Sequence, residues 1–480
     1  MNYTTGVAAL VTVLALSWIT RRRSTIRTIV GPPSPSWIFG NMLQLLISPE
    51  YGDYEFNWGK MYGPVYRIKG CLGNTQRLKL IMCAGEDHRQ LRAFLNPAFA
   101  AAAVRQYQAV FTSVAQRITE RLDLCEAPSV DVCPLLCDAT LSSISEALFG
   151  CPVEDLNADF VEGNSHILEL TSTQSASHIL FDGIGSRLPG WFLRHSLYLP
   201  IKSFNVIRAQ LNLAQSQGWR LVSEKAEAAK QGLELEGDID TVNSSASDSR
   251  SIREEDIVAQ TPLMTVAGQD TTAKTLAFGL IELAKNPQFQ ESLRAEIHAA
   301  LQVGTVHGNI SYDSMPLLNA FIKESLRMYP ALPIADRMAS EDVVIPLSQS
   351  VATTNGKRVT QIHIRKGELV TLALASYQRI ESRWGADADK FRPSRWLDGT
   401  VYQGEAVGPY GNLLSFLGGP RMCLGWRFAV FEMQVFLCEL VGKFSFSLPA
   451  GHSAKVKFAN TLLPTDAHGN KCALLCVDRI

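Results

Sequence analysis

The chain reads as a mainly α protein with small β-sheets, a single large domain behind an N-terminal membrane anchor. Three observations predict this. Apolar residues recur at i, i+3 and i+4 over long stretches from Glu86 onward, as the buried face of a helix requires. Strand-like runs are short, and Gly, Pro and Asn separate several of them. Residues 1–20 carry no charged side chain. The length of 480 residues suggests about three domains, yet no break in composition in the second half supports a split. There is no internal repeat. Hydrophobic residues make up 46%, ordinary for a globular protein able to bury a large core. A formal net charge of −1 gives no reason to expect nucleic acid as a partner.

The first element is the apolar run Gly6–Ile19, within residues 1–20, followed by Arg21, Arg22 and Arg23. Twenty helical residues span about 30 Å, one hydrocarbon core. A cleaved secretory signal would carry its basic residues before the apolar run, and positive charge on the C-terminal flank retains that side in the cytosol. The reading is a single-pass anchor, with a buried helix of the globule as the alternative. Residues 21–40 form a basic, proline-rich hinge, in which Gly31-Pro32-Pro33-Ser34-Pro35 is stiff and extended. The globule itself is 41–480. Val65–Lys69 alternates as a half-buried strand would, with Arg77–Met82 as its partner. Helices are expected at 86–94, 101–124, 138–149, 201–230, 255–285, 287–301 and 314–328. The Ser- and Asp-rich stretch 235–255 reads as an exposed loop, and strands are expected at 342–346, 358–364, 369–373 and 472–477. The ten cysteines include no C-x-x-C pair, which argues against a zinc site and for reduced thiols in a cytosol-facing domain.

One cysteine stands apart. Cys423 lies in Phe416-Leu417-Gly418-Gly419-Pro420-Arg421-Met422-Cys423-Leu424-Gly425, immediately before a long apolar helical run. The glycines allow close approach of a bulky flat group. A thiol at a helix start faces backbone N–H groups that lower its pKa, and a thiolate is the axial ligand that favours O–O cleavage at haem iron. The pattern F-x-x-G-x-R-x-C-x-G, with Ala429 beyond it, resembles the haem-binding loop of the cytochrome P-450 family, the haem-thiolate monooxygenases. The resemblance implies that family's fold, haem b as cofactor, Cys423 as the iron ligand, and Phe416, Gly419, Arg421 and Gly425 around it.

Ala267-Gly268-Gln269-Asp270-Thr271-Thr272 sits inside a long apolar helix. The Thr271 hydroxyl can bond the carbonyl of Ala267, and Gly268 leaves room for a local widening. A hydroxyl beside a carboxylate is a proton relay in one reading, and a helix break or polar patch in the other. The six residues match the family's oxygen-activation motif, which favours proton delivery by Asp270 and Thr271. Glu324-Ser325-Leu326-Arg327 is, alone, an ordinary i, i+3 ion pair. By resemblance, Arg395 completes a buried structural triad with Glu324 and Arg327. The family also places cations against the two haem propionates. His88 and Arg92, one turn apart, Arg421 and Arg337 occupy the matching positions. Substrate contacts would come from 160–215, Leu263, Val266 and Ala267, the Ala331–Ile334 turn and the hairpin near Leu462-Leu463, all apolar.

The resemblance extends to partners. NADPH–cytochrome P-450 reductase would supply electrons, with cytochrome b5 as a second donor, on the endoplasmic reticulum membrane. The substrate would be a lipophilic small molecule of fungal secondary or xenobiotic metabolism. One stretch departs from the pattern. Residues 69–85 are short where the family carries several dozen residues roofing the substrate pocket. Either the roof is open by nature, or this is a splice form or gene model lacking a segment. The second is favoured because both flanks match the family. Two other functions compete: an oxygen-independent peroxide isomerase or dehydratase, and a non-catalytic haem-fold protein.

Overall fold

The computed structural model describes residues 25–73, 86–172, 174–185, 195, 198, 202–230, 255, 258–307, 310–401, 404 and 406–480. The expected anchor, the start of the hinge (21–24), residues 74–85 of the short segment and nearly all of the 235–255 loop lie outside them. Helices follow in chain order as α1 (Met42–Leu46), α2 (Glu55–Tyr62), α3 (Glu86–Leu95), α4 (Ala101–Gln106), α5 (Gln108–Asp123), α6 (Val132–Ile144), α7 (Ala158–Ser172), α8 (Ala176–Gly185) and α9 (Lys202–Lys230). Then come α10 (Thr261–Lys285), α11 (Pro287–His307), α12 (Pro316–Met328), α13 (Leu374–Tyr377), α14 (Glu381–Trp384) and α15 (Trp426–Lys443). Strands are β1 (Val130–Asp131), β2 (Ile334–Met338), β3 (Val343–Ala352), β4 (Arg358–Ile364), β5 (Leu369–Ala373), β6 (Phe444–Ser447), β7 (Lys455–Ala459), β8 (Thr461–Thr465) and β9 (Leu474–Arg479). The predominance of helix with small antiparallel sheets is the architecture expected from the apolar periodicity.

The chain forms two compact units, one of Met1–Lys79, Ser175–Leu188 and Ala335–Leu372, the other of Leu80–Gln174, Pro189–Ile334 and Ala373–Ile480. In the first, β3 pairs antiparallel with β4, and Ile29, Val351, Ile362 and Ile364 close a small core against them. The expected strand at Val65–Lys69 is not one. Its backbone is extended but makes single bonds to loop partners: Arg67 N–H donates to Val30 O at 3.0 Å and Asn41 N–H to Lys69 O at 2.7 Å. The hinge turns back on itself as well, because Asn41 Nδ2 donates to Pro33 O at 2.9 Å. Gly31 is required there, since a Cβ would lie 1.9 Å from Arg67 O.

The second unit is built on α10, almost wholly buried from Ala273 to Ala284. Helix α6 packs along it, capped by Asp131, whose carboxylate accepts from Cys133 N–H at 3.1 Å. Gly268 serves this packing: a Cβ there would meet Ile144 Cδ1 at 2.0 Å. Val132–Phe149 is the one segment among the described residues long and apolar enough to span a membrane, and most of it is buried inside the protein. Helix α12 starts at Pro316, where the Glu296 carboxylate accepts from Leu317 and Leu318 N–H at 2.9 Å each, an anion on a helix N-terminus. The expected single helix over 101–124 is two, α4 and α5, meeting at Tyr107. The strand expected at 472–477 is β9, in which Cys476 lies opposite Ser447. Strands β1, β9 and β6 form one sheet, and β7–β8 a hairpin.

Glu432 on α15 is fully buried, and neither carboxyl oxygen has a hydrogen-bond partner among the described residues. Burial pushes it up from 4.5 to about 8, with the nearby Ser143 hydroxyl opposing only in part. The folded protein therefore keeps a proton that the unfolded chain releases near pH 4.5. The stability this one group contributes is fully present below about pH 4.5 and is lost as pH rises to about 8. Glu432→Gln is expected to flatten that fall, melting like wild type near pH 5 and a few degrees higher near pH 8. Thermal melts across that range check it.

Candidate active site

The loop before α15 is held by its own backbone. Cys423 N–H donates to Phe416 O at 2.8 Å, Met422 N–H to Gly419 O at 3.1 Å, and Leu417 N–H to Leu414 O at 2.8 Å. Leu417 (φ 60°) and Gly419 (φ 68°) are both left-handed, a conformation costly for leucine and free for glycine. Gly418 is needed for a different reason, because a Cβ would sit 2.2 Å from Val407 O. The Cys423 side chain is open to its surroundings on one side, yet desolvation raises its pKa despite the Gly425 N–H and Arg92, which both favour thiolate. The helix start expected to lower the pKa is outweighed by burial. The thiol is thus both exposed and desolvated by the protein around it.

Helix α3 brings the basic residues to this loop. Arg92 Nη1 donates to Met422 O at 2.6 Å. Burial, then Arg421 and Arg92, hold the His88 imidazole below its ordinary value. Of the four residues assigned to propionates, His88, Arg92 and Arg421 stand together, whereas Arg337 belongs to the first unit. There Arg337 Nη1 donates to Asp336 O at 2.9 Å, and Thr371 Oγ1 donates to Asp336 Oδ1 at 2.6 Å.

Behind the loop, Glu324 is completely buried with Arg327 and Arg395. Arg327 donates bidentately, Nε to Oε2 at 2.9 Å and Nη2 to Oε1 at 2.8 Å, and Arg395 Nε donates to Oε1 at 3.0 Å. Arg392 N–H (2.7 Å) and Trp396 Nε1 (3.0 Å) complete the carboxylate's shell. The two guanidinium groups spend their remaining donors on the carbonyls of Gln378, Ala388, Trp384 and Lys390, and on Asp387. Sequence reasoning missed Gln378. Its Nε2 donates to Leu326 O and Arg327 O, and its Oε1 accepts from Leu414 N–H at 2.8 Å and Ser415 Oγ at 3.0 Å. The ion cluster is thereby connected, residue by residue, to Phe416 and so to the backbone of Cys423.

On α10, Thr271 Oγ1 donates to Ala267 O at 2.8 Å and the residue is half-buried. Asp270 points elsewhere. Its Oδ2 accepts from Lys274 Nζ at 2.5 Å and Thr461 Oγ1 at 3.1 Å in a buried cluster. Neighbours on a helix diverge by about 100°, so the acid and the hydroxyl occupy adjacent positions but point in different directions. Gln269 is buried and tied to the neighbouring helices, accepting from Asn164 Nδ2 at 2.6 Å and, at its carbonyl, from Thr140 Oγ1 at 2.8 Å. Leu463 and Leu462 are core rather than pocket wall, whereas Leu263 and Leu332 are exposed.

A desolvated but accessible thiol on a helix-entry loop, with basic groups beside it, suits a flat, iron-bearing, dianionic cofactor. Comparison with known proteins agrees. The family model "Cytochrome P-450" matches residues 70–470. Cytochrome P-450 monooxygenase 81 of Postia placenta is 28% identical, covering 92% of this chain and 91% of its own. Cytochrome P-450 monooxygenase claO of Ampulloclitocybe clavipes is 29% identical over 92% and 91%, and the ganoderic acid synthetase of Ganoderma lucidum 30% identical over 77% and 72%. The chain belongs to the cytochrome P-450 family. It is a monooxygenase of that family, and its cofactor is haem b.

Proposed function

We propose that this chain inserts one oxygen atom of O2 into a lipophilic small molecule of fungal secondary metabolism, with electrons from NADPH through a cytochrome P-450 reductase. The observation that carries the reading is the Cys423 thiol, open on one side at the foot of α15 and braced from behind by the Glu324 cluster. When bound, haem b supplies the iron at which dioxygen is activated. Cys423 would hold that iron, with Phe416, Gly419 and Gly425 shaping the loop. Arg92, Arg421 and His88 would bind the propionates, and Arg337 of the first unit is a further candidate by resemblance alone. Glu324, Arg327 and Arg395 hold the loop's scaffold and touch no substrate. Asp270 and Thr271 would carry protons toward the distal face, a role that general acid–base groups fill by being within hydrogen-bond reach of the reacting oxygen. The relative named ganoderic acid synthetase supports the secondary-metabolism part. Retention of the acid–threonine pair favours oxygen activation over peroxide rearrangement. The apolar residues 1–20 support a single-pass anchor in the endoplasmic reticulum membrane, with the catalytic globule cytosolic and cytochrome b5 a second electron donor there.

The test is co-expression of the full chain with a cytochrome P-450 reductase, followed by incubation of the membranes with lipophilic compounds under isotopically heavy dioxygen. NADPH-dependent products carrying one labelled oxygen atom are expected. Turnover of hydroperoxides with no need for NADPH, and no label gained from dioxygen, would contradict the reading.

A further inference from the structure

Arg92 stands beside the Cys423 loop for a reason that does not require an anion. Its guanidinium, in the last turn of α3, donates from Nη1 to Met422 O at 2.6 Å, a charge-assisted bond between residues 330 apart in the chain. Among the described residues this is the one hydrogen bond that guanidinium makes. The acceptor is the carbonyl of the peptide that joins Met422 to Cys423. The N–H of that same peptide belongs to Cys423 and donates to Phe416 O at 2.8 Å. A trans peptide is planar, with its N–H and C=O pointing in opposite directions. The unit that carries the thiol is therefore gripped at both ends, by the loop itself on one side and by α3 on the other. Its plane cannot tilt without breaking one of the two bonds.

The element that grips is itself fixed to the helix that follows the thiol. Asn96 N–H donates to Arg92 O at 3.0 Å, and the chain then turns through Pro97–Phe99. Phe99 sets its ring edge-on to Phe428 of α15, with centroids 6.2 Å apart. Tyr107 Oη donates to Ala98 O at 3.1 Å, and the rings of Tyr107 and Phe111 close on the same Phe428 at 5.8 and 4.8 Å. Arg92 thus reaches the loop from a base packed on α15. At the other end of the loop, Gln378 holds Leu414 N–H and Ser415 Oγ. Gln378 fixes where the loop starts, and Arg92 fixes where it delivers the thiol.

We propose that Arg92 is a positioning residue for Cys423: by holding Met422 O it aims the thiol from α3, in addition to any anion its remaining donors bind. The inference rests on the reading of Cys423 as the iron ligand and adds the group that sets its direction. An arginine carries five N–H donors, so one is spent on the loop without giving up a propionate. His88, one turn earlier on the same helix, is the control. It lies beside the same basic groups but makes no hydrogen bond to the loop among the described residues. The two roles differ in what their loss does. Losing a propionate contact lowers how much haem is bound, whereas losing the loop's aim changes how the bound haem is ligated.

The experiment uses the purified full chain, with haem content and the reduced carbon monoxide difference spectrum measured on every variant. The quantity read is the ratio of bound haem at the thiolate-ligated Soret position to bound haem that has lost the thiolate, at a urea concentration where wild type shows both. In Arg92→Leu that ratio is expected to drop by about tenfold or more, the worth of one charge-assisted hydrogen bond. His88→Leu is expected to bind less haem, with the ratio as in wild type. A wild-type ratio in Arg92→Leu, or an equal drop in His88→Leu, would overturn the proposal. If Arg92→Leu retains no haem, hydrogen exchange of the haem-free full chain decides the matter. The Cys423 amide should then exchange about tenfold faster in Arg92→Leu than in wild type, and equal rates count against it. Failure of the underlying reading looks different: wild type itself would show no band at the thiolate-ligated position.

Discussion

Glu324→Ala is expected to yield protein without haem. The carboxylate is the common acceptor for Arg327, Arg395, Arg392 N–H and Trp396, all within 2.7–3.0 Å and with no exposure at Glu324 itself. Removing it strands two buried guanidinium groups, a loss of roughly 3–5 kcal/mol. Because Gln378 carries the cluster's geometry to Leu414 and Ser415, the loop around Cys423 loosens together with the scaffold. Gln378→Ala keeps the ion cluster but cuts this connection, so its haem content should fall between that of Glu324→Ala and wild type. Haem-to-protein ratios after purification check both, and a Glu324→Ala protein with full haem content would refute the assignment.

The second large effect is at Cys423. Cys423→Ser keeps the size and the Phe416 backbone bond but replaces a soft thiolate donor by a hydroxyl that stays protonated. NADPH-dependent oxygen insertion is expected to vanish, whereas the melting temperature of the apoprotein should change little, because no described packing depends on the sulfur. Measured product formation and apoprotein melts separate loss of chemistry from loss of fold.

How much of this was readable in the sequence depended on whether local spacing carried the information. The long helices were legible because their apolar residues repeat along one face. The Cys423 loop was legible because its glycines and its thiol lie within one short segment. The left-handed Leu417 was not, since nothing in a leucine advertises a positive φ. Val65–Lys69 alternates like a strand, but alternation reports only an extended backbone, not a partner. The direction of Asp270 was half legible. Asp270 and Lys274 stand at i, i+4, the spacing of a helical ion pair, whereas Thr461 comes from a hairpin 187 residues beyond Lys274. Gln378 gave no signal, because its partners are backbone groups and a serine brought close only by the fold.

The account's central claim is a haem iron held by the Cys423 thiolate. The reduced carbon monoxide difference spectrum of the full chain tests it most directly. A Soret band at the thiolate-ligated position, lost in Cys423→Ser, is predicted. No band in the wild-type protein, or a band unchanged by Cys423→Ser, would contradict it.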